Sequence, residues 1–345
     1  MKSGRIAIRE SLSPLIVLVL LCSAVSSLCS PVYAQSPVTG DVKHDTSGRI
    51  VGKNQSIHLN VDLALVNITV TDPSNRLVTG LERDTFRVFE DNVEQEVVNF
   101  SSEDVPISIG VILDLSGSMV NKLGKAREAA GQFFKMANPQ DEFFLVGFND
   151  QAYLLSPFTE KVEDVQSRML AISAKGTTAL LDAICLGLMQ MKNAHHAKRA
   201  LLIISDGGDN HSRYTEGEIK HFVREADTQL YSIGIFDPIQ SRARTPEELN
   251  GPILLSELTE ITGGRAFSVE DPNELPDIAT KIAVELHNQY ILGYRPSNKV
   301  HNSRWRKIKV KLRTRKGSPP LRVYAKTGYY APDVLTGSLR LPEKE

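Results

Sequence analysis

Ile107-Ser-Ile-Gly-Val-Ile-Leu-Asp114-Leu-Ser-Gly-Ser118 is the stretch on which the reading of this chain turns. From Ile107 to Leu113 nearly every residue is apolar, as in a strand covered on both faces, which is the habit of parallel sheets packed between helices. An aspartate ends the run, and a short loop with hydroxyls at alternate positions follows. Ala200 to Ile204 repeats the pattern and leads through Ser205 into Asp206-Gly-Gly-Asp209, while Glu142 to Phe148 and Leu230 to Phe236 are weaker versions. Between these runs, apolar residues recur at helical spacing. Ala126, Ala129, Ala130, Phe133, Phe134 and Ala137 form one set, Ile219, Phe222, Val223 and Ala226 a second, and Leu275, Ile278, Ala279, Ile282 and Leu286 a third. Strand–helix alternation from about 105 to 289 predicts an α/β fold, with a doubly wound, mostly parallel sheet and helices on both faces.

The segments on either side read differently. Val66, Ile68 and Val70 alternate on one face of a strand and Val61, Leu63 and Leu65 on the other, with a phase slip near Leu65 that predicts a bulge. Phe86, Val88 and Glu90 alternate before an Asp91-Asn92 turn, and Gln95 to Phe100 reads as the returning strand. Beyond the last helix come Tyr290 to Tyr294, Trp305 to Arg313 and Leu321 to Tyr324. The expected organisation is a leader at 1–34, a polar lead-in at 35–56, a β unit at 57–104, the α/β domain at 105–289, a second β unit at 290–332 and a tail at 333–345. The two β-rich flanks are expected to pair into a small β-sandwich.

With 345 residues, 40 Lys+Arg against 41 Asp+Glu and a formal charge of −1, bulk charge implies no polyelectrolyte partner. Lys2, Arg5 and Arg9 precede an apolar run from Leu12 to Leu28, and Val32-Tyr33-Ala34 offers a small residue for cleavage, so residues 1–34 read as a secretory signal peptide. Its removal takes with it those three bases and Glu10, leaving −3. The expected location is outside the cytosol, with no transmembrane span after cleavage. Cys22 and Cys29 lie in the leader, so Cys185 alone remains and is read as a small buried hydrophobe.

In an open parallel sheet, ligands gather beyond the carboxyl ends of the strands, where the strand order reverses. Asp114 and Asp206 are therefore expected to face one crevice, and two like charges there need a counterion. Oxygen-only surroundings favour a hard cation, Mg²⁺ first with Mn²⁺ and Ca²⁺ as alternatives, over Zn²⁺. Ser116 and Ser118 stand at alternate loop positions where their hydroxyls can converge, and Lys175-Gly-Thr177-Thr178 supplies a third hydroxyl. A cation held by neutral hydroxyls keeps most of its charge. It is then short of an anionic ligand, which a carboxylate from another molecule can supply.

Asp114-Leu-Ser-Gly-Ser118, the later Gly-x-Thr and Asp206-Gly after an apolar strand resemble the metal-ion-dependent adhesion site of the von Willebrand factor type A domain family. The resemblance implies that Ser116 and Ser118 bind a metal directly and that Asp114 and Asp206 act directly or through water. Thr178 is implied as the third hydroxyl rather than Thr177, because Thr178-Ala-Leu-Leu-Asp182-Ala matches the motif's continuation. Val70-Thr-Asp, Asp84 to Asp91, Gln289 to Tyr294 and Lys326 to Pro332 resemble exported bacterial proteins with a related domain, abundant in acidobacteria, which implies secretion or a place in the periplasm or cell envelope of a bacterium. The function implied is a non-enzymatic adhesion or assembly module, with a protein partner presenting Asp or Glu. A shift of the helix Leu275 to Leu286 on metal ligation is a further implication.

Two other readings are weighed beside it. A Mg²⁺-dependent hydrolase or phosphoryl-transfer enzyme would use Asp114 as nucleophile or metal ligand, but Ser116 replaces the second acid such phosphatases carry, and no Gly-x-Ser-x-Gly, P-loop or His-Glu-x-x-His occurs. An envelope scaffold with a purely structural metal is the third. Ser118 is alternatively a cap for a helix starting near Asn121, and Asp209 is expected to be solvated. Lys307, Lys309, Lys311, Arg313 and Arg315 form one basic strand face, read as the charged outer face of a protected edge strand rather than a surface for nucleic acid or anionic glycan.

Overall fold

The computed structural model describes residues 63–206, 208–235, 246–313, 317 and 319–333. The leader, the lead-in, Val61, Phe236, Arg315 and the tail beyond 333 lie outside the described residues. Among the described residues, no helix is long and apolar enough to cross a membrane.

The chain begins with β1 (Ala64–Thr71), β2 (Phe86–Glu90), β3 (Val93–Gln95) and β4 (Val97–Ser101). It then enters the α/β region through β5 (Ile107–Asp114), α1 (Leu123–Lys135), β6 (Glu142–Phe148), β7 (Ala152–Thr159), α2 (Val162–Leu170) and α3 (Leu180–Gln190). There follow β8 (Lys198–Ser205), α4 (Glu216–Glu225), β9 (Gln229–Ile235), α5 (Pro246–Thr262), β10 (Ala266–Val269) and α6 (Leu275–His287). The chain closes with β11 (Tyr290–Tyr294), β12 (Trp305–Leu312), β13 (Arg322–Ala325) and β14 (Gly328–Tyr330).

Six strands form the central sheet in the order β10-β9-β8-β5-β6-β7, parallel except for β7. The all-apolar runs are its inner strands, and every residue of β5 and β6 is buried. α1, α2 and α6 cover one face through Ala126, Phe133, Val165, Met169, Ala279 and Ile282. α3, α4 and α5 cover the other through Leu181, Ile184, Leu188, Ile219, Val223 and Leu258. Cys185 is buried among the latter. The chain moves outward from β5 to β6 and β7, then crosses to β8 on β5's other side, so the strand order reverses between β5 and β8. Asp114 ends β5 and Asp206 follows β8 directly, which sets both at that reversal.

The flanks pair with each other, because the N-terminal strands find their partners after residue 289. β13-β1-β11-β4 and β14-β12-β2-β3 are two four-stranded antiparallel sheets closing over Val66, Ile68, Val70, Val88, Tyr290 and Leu292. β1 is buried on both faces over its second half. Val66, Ile68 and Val70 point into the sandwich, while Thr69 and Thr71 are buried against the α/β layers, where the Thr69 hydroxyl accepts from Gln289 Nε2 at 3.1 Å.

Three sequence expectations are corrected. The phase slip near Leu65 is no bulge: β1 and β11 stay in register from Ala64 to Ile68, and Leu63 and Leu65 simply face outward, each 41% exposed. Gln95 to Phe100 is not one strand. It breaks at Glu96, so that β3 pairs with β2 while β4 pairs with β11 in the other sheet. Gln95 holds its end of the corner by exchanging hydrogen bonds with Ser297, at 2.9 and 3.0 Å. Finally, β12 is not an edge strand along its whole length: β14 covers it along 305–307 and β2 along 308–312, so its open edge is confined to the 308–312 stretch that carries Lys309 and Lys311.

Candidate functional site at the carboxyl rim

Asp114, Ser116 and Asp206 are buried to within 1% of full burial, and Thr178 is 6% exposed. Gly117 and Ser118 are open to solvent, so the cluster has a buried base and an accessible lip. The Ser116 N–H donates to Asp114 Oδ1 at 2.8 Å and the Ser205 hydroxyl to Asp114 Oδ2 at 2.6 Å. Ser116 Oγ and Ser118 Oγ are 3.0 Å apart, and the Ser118 hydroxyl donates to Asp206 Oδ1 at 2.8 Å. One chain of hydrogen bonds thus joins four of the five residues singled out in the sequence. Because its hydroxyl serves Asp206, and α1 begins only at Leu123 with Lys122 as its N-cap residue, Ser118 is not a helix cap.

The threonine loop is laced to the same rim through its backbone. Gly117 N–H donates to the Gly176 carbonyl at 3.0 Å and Lys175 N–H to the Leu115 carbonyl at 2.7 Å. Gly176 takes a φ of +88°, and a Cβ there would stand 2.6 Å from the Asp150 carboxylate, so glycine is required on both counts. Asp150 Oδ1 accepts both the N–H and the hydroxyl of Thr177, at 2.7 and 2.6 Å, which fixes Thr177 to a neighbouring loop. Thr178 turns inward instead. Its N–H donates to Asn210 Oδ1 at 2.9 Å, and its carbonyl accepts from the N–H groups of Asn210 and His211.

Charge is unbalanced here. Burial, and then the nearby Asp206, push the Asp114 carboxyl up to about 6 against the hydrogen bonds that favour its ionised form. Lys122, itself buried, donates to Asp206 Oδ2, and among the described residues Asp114 joins no ion pair. Among the described residues, Lys122 is the one ammonium that reaches this pair of buried carboxylates.

Lys122, Ser205 and Asp150 escaped the sequence reading. Lys122 had a signal: a cation at a helix N-terminus opposes the helix dipole and implies an anion nearby. Asp209 also departs from expectation. Rather than being solvated, its carboxylate accepts from Leu181 N–H at 3.2 Å and from Ser212, tying the start of α3 to the Asp206 loop.

Residues 109–208 match the family profile described as the von Willebrand factor type A domain. The chain is 24% identical over 261 residues to bovine inter-alpha-trypsin inhibitor heavy chain H4, covering 70% of this chain and 27% of that protein. It is 24% identical over 188 residues to an uncharacterised protein of Borreliella burgdorferi, covering 47% and 54%. The chain thus spans about a quarter and about half of the lengths of these two relatives. The solved von Willebrand factor type A structure from Catenulispora acidiphila aligns over 83% of this chain and 78% of its own, at 12% identity and a TM-score of 0.46. The stretch from Ile109 to Gly208, which carries β5, β6, β8 and the loops that hold Asp114, Ser116, Ser118, Thr178 and Asp206, belongs to the von Willebrand factor type A domain family.

Proposed function

We propose that the carboxyl rim holds a divalent cation of the Mg²⁺ class and that the cation captures an acidic side chain of a protein partner, making this an adhesion or assembly module. Ser116 and Ser118 would bind the cation through their hydroxyls, with Thr178 as the third hydroxyl and Asp114 and Asp206 binding directly or through water. The observation that carries this reading is the pair of buried carboxylates linked through Ser116 and Ser118 at an open lip, with Asp114 raised by burial and by Asp206.

The donor set suits such an ion. Corners of an octahedron about 2.1 Å from a central Mg²⁺ lie about 3.0 Å apart. The Ser116–Ser118 and Ser118–Asp206 oxygen separations of 3.0 and 2.8 Å are close to that edge. When bound, the cation supplies Lewis acidity at a corner open to an outside ligand. The protein's own part is to hold the hydroxyls convergent, keep water from the base of the site by burying Asp114 and Asp206, and expose the lip at Gly117 and Ser118. Lys122 adds to the positive charge met by an arriving carboxylate.

The test is capture of envelope proteins on immobilised full-length chain, with Mg²⁺ and with EDTA, followed by titration of the captured partner. The reading requires binding that is lost in EDTA and in Asp114→Ala. Binding that survives both would defeat it, and turnover of phosphate esters lost in the same variant would move the assignment to the hydrolase reading.

A further inference from the structure

β12 carries bases of two kinds. Arg306 points inward and is matched there: buried to 4%, it reaches Glu90 Oε1 at 3.2 Å and donates to the carbonyls of Asn298 and Val300 at 2.6 Å each. Lys307, Lys309, Lys311 and Arg313 point outward and are exposed. Among the described residues, none of these four joins an ion pair. Part of the row has a structural use, since Lys311 attends the Phe89 ring at 5.0 Å and the 308–312 stretch of β12 has β2 as its one strand partner among the described residues, but ion pairing accounts for none of it. One placement works against the fold, because Lys311 stands directly across from Arg87, and like charges facing each other on neighbouring strands are destabilising.

The surroundings narrow what would use the row. Alternate residues of a strand are about 6.8 Å apart, so the four bases form a straight line about 20 Å long. Acids border it: Glu94 holds Arg87 through two hydrogen bonds, at 2.8 and 2.5 Å, and Asp91 accepts the Lys307 N–H at 2.9 Å. A broad plane of anionic headgroups would press on those carboxylates, whereas a single extended polyanion would not. The aromatic rings on this face are already engaged, Phe89 by Arg87 at 5.1 Å and Lys311 at 5.0 Å, and Trp305 by the edge of Tyr330 at 5.1 Å and Arg224 at 6.0 Å, which disfavours stacking of nucleobases along the row.

We infer that the outward face of β12 binds a linear acidic polysaccharide, one bearing carboxylates or sulfates along an extended chain, through Lys307, Lys309, Lys311 and Arg313. The chain's overall charge of −1 means that such binding has to come from this local row. It is independent of the carboxyl rim.

The experiment titrates full-length chain with labelled polygalacturonate and heparin in EDTA, at low and at raised salt, with oligothymidylate and phosphatidylglycerol vesicles as competing arms. Expected are binding that weakens as salt rises and a loss of at least tenfold in the quadruple variant Lys307→Gln, Lys309→Gln, Lys311→Gln, Arg313→Gln. The same charge change at exposed Lys135, Lys161, Arg168 and Lys192 should cost less than twofold, and Lys→Arg at 307, 309 and 311 should retain binding. Should the quadruple variant fail to fold, Lys309→Glu alone should still weaken binding severalfold. The inference is overturned if wild type binds neither polysaccharide at low salt, if the row variants bind like wild type, or if oligothymidylate or vesicles are the tighter row-dependent ligands.

Discussion

The two rims of the central sheet both bury carboxylates, and they treat them in opposite ways. At the amino rim, Asp141 accepts from the N–H groups of Ile107 and Asn138, at 2.8 Å each, and faces His287 Nε2 at 3.3 Å. Glu142 accepts from Ser108 at 2.5 Å and from the N–H and ring of His195 at 2.7 Å each. Burial alone would push the Glu142 carboxyl up, yet the hydrogen bonds from His195 and Ser108 bring it below its ordinary value. At the carboxyl rim, burial and the neighbouring Asp206 prevail, and Asp114 rises to about 6. A carboxylate that serves the fold is fully matched. To the one left beside a second carboxylate at an open lip, the proposed function assigns a cation.

This contrast can be broken by exchanging the roles of single residues. The largest effect is expected from Lys122→Met, which strips Asp206 of its buried ammonium: stability in chelator should fall by about 3–5 kcal/mol, read by urea denaturation. Added Mg²⁺ should recover part of that loss. A change under 1 kcal/mol would mean that the rim does not depend on the ammonium for its balance.

Asp141→Ala at the matched rim leaves two N–H groups and His287 without their acceptor and should cost about 3 kcal/mol, with no recovery by Mg²⁺. Asp114→Asn at the other rim removes a like charge, so in chelator it should stabilise the protein, by about 1 kcal/mol. If both substitutions destabilise equally, the rims do not differ in the way described.

A smaller effect concerns pH. Burial would push His287 down, but its hydrogen bonds to Asp141 and Asp104 outweigh this and raise it. A raised histidine contributes stability that is full below its unfolded value of about 6.5 and is lost as pH climbs through the folded one. Stability should therefore decline above about pH 6.5, and His287→Asn should flatten the decline. Lys198, held down at about 8 by burial beside the end of α6, acts with the opposite sign only at higher pH. An unchanged pH profile in the variant would remove His287 from the account.

Much of this was legible in the sequence. The strands β5, β6, β8 and β9 were visible because burial on both faces demands unbroken apolar runs, and α1, α4 and α6 because one stripe must meet the sheet. The site's acids were visible because they interrupt those runs at their carboxyl ends. Less legible were β7, whose outer face is half exposed, and α5, where Pro252 lies within the helix. The sheet switch at Glu96 was hidden as well, since alternation continues through a corner while the hydrogen-bond partner changes. Lys122 and Ser205 were missed because a lysine and a serine acquire meaning only from the carboxylate they reach across the sheet. The flanks show the opposite balance: their pairing followed from two incomplete β units, while the inward ligation of Glu90 by Tyr294 and Tyr329 did not.

Calorimetric titration of Mg²⁺ into wild-type chain and into the double variant Ser116→Ala, Ser118→Ala tests the unbalanced rim most directly. The account predicts one site in the wild type and affinity at least tenfold weaker in the variant, with both proteins folded. A wild type that binds neither Mg²⁺ nor Mn²⁺, or a variant that binds as tightly as the wild type, would contradict it.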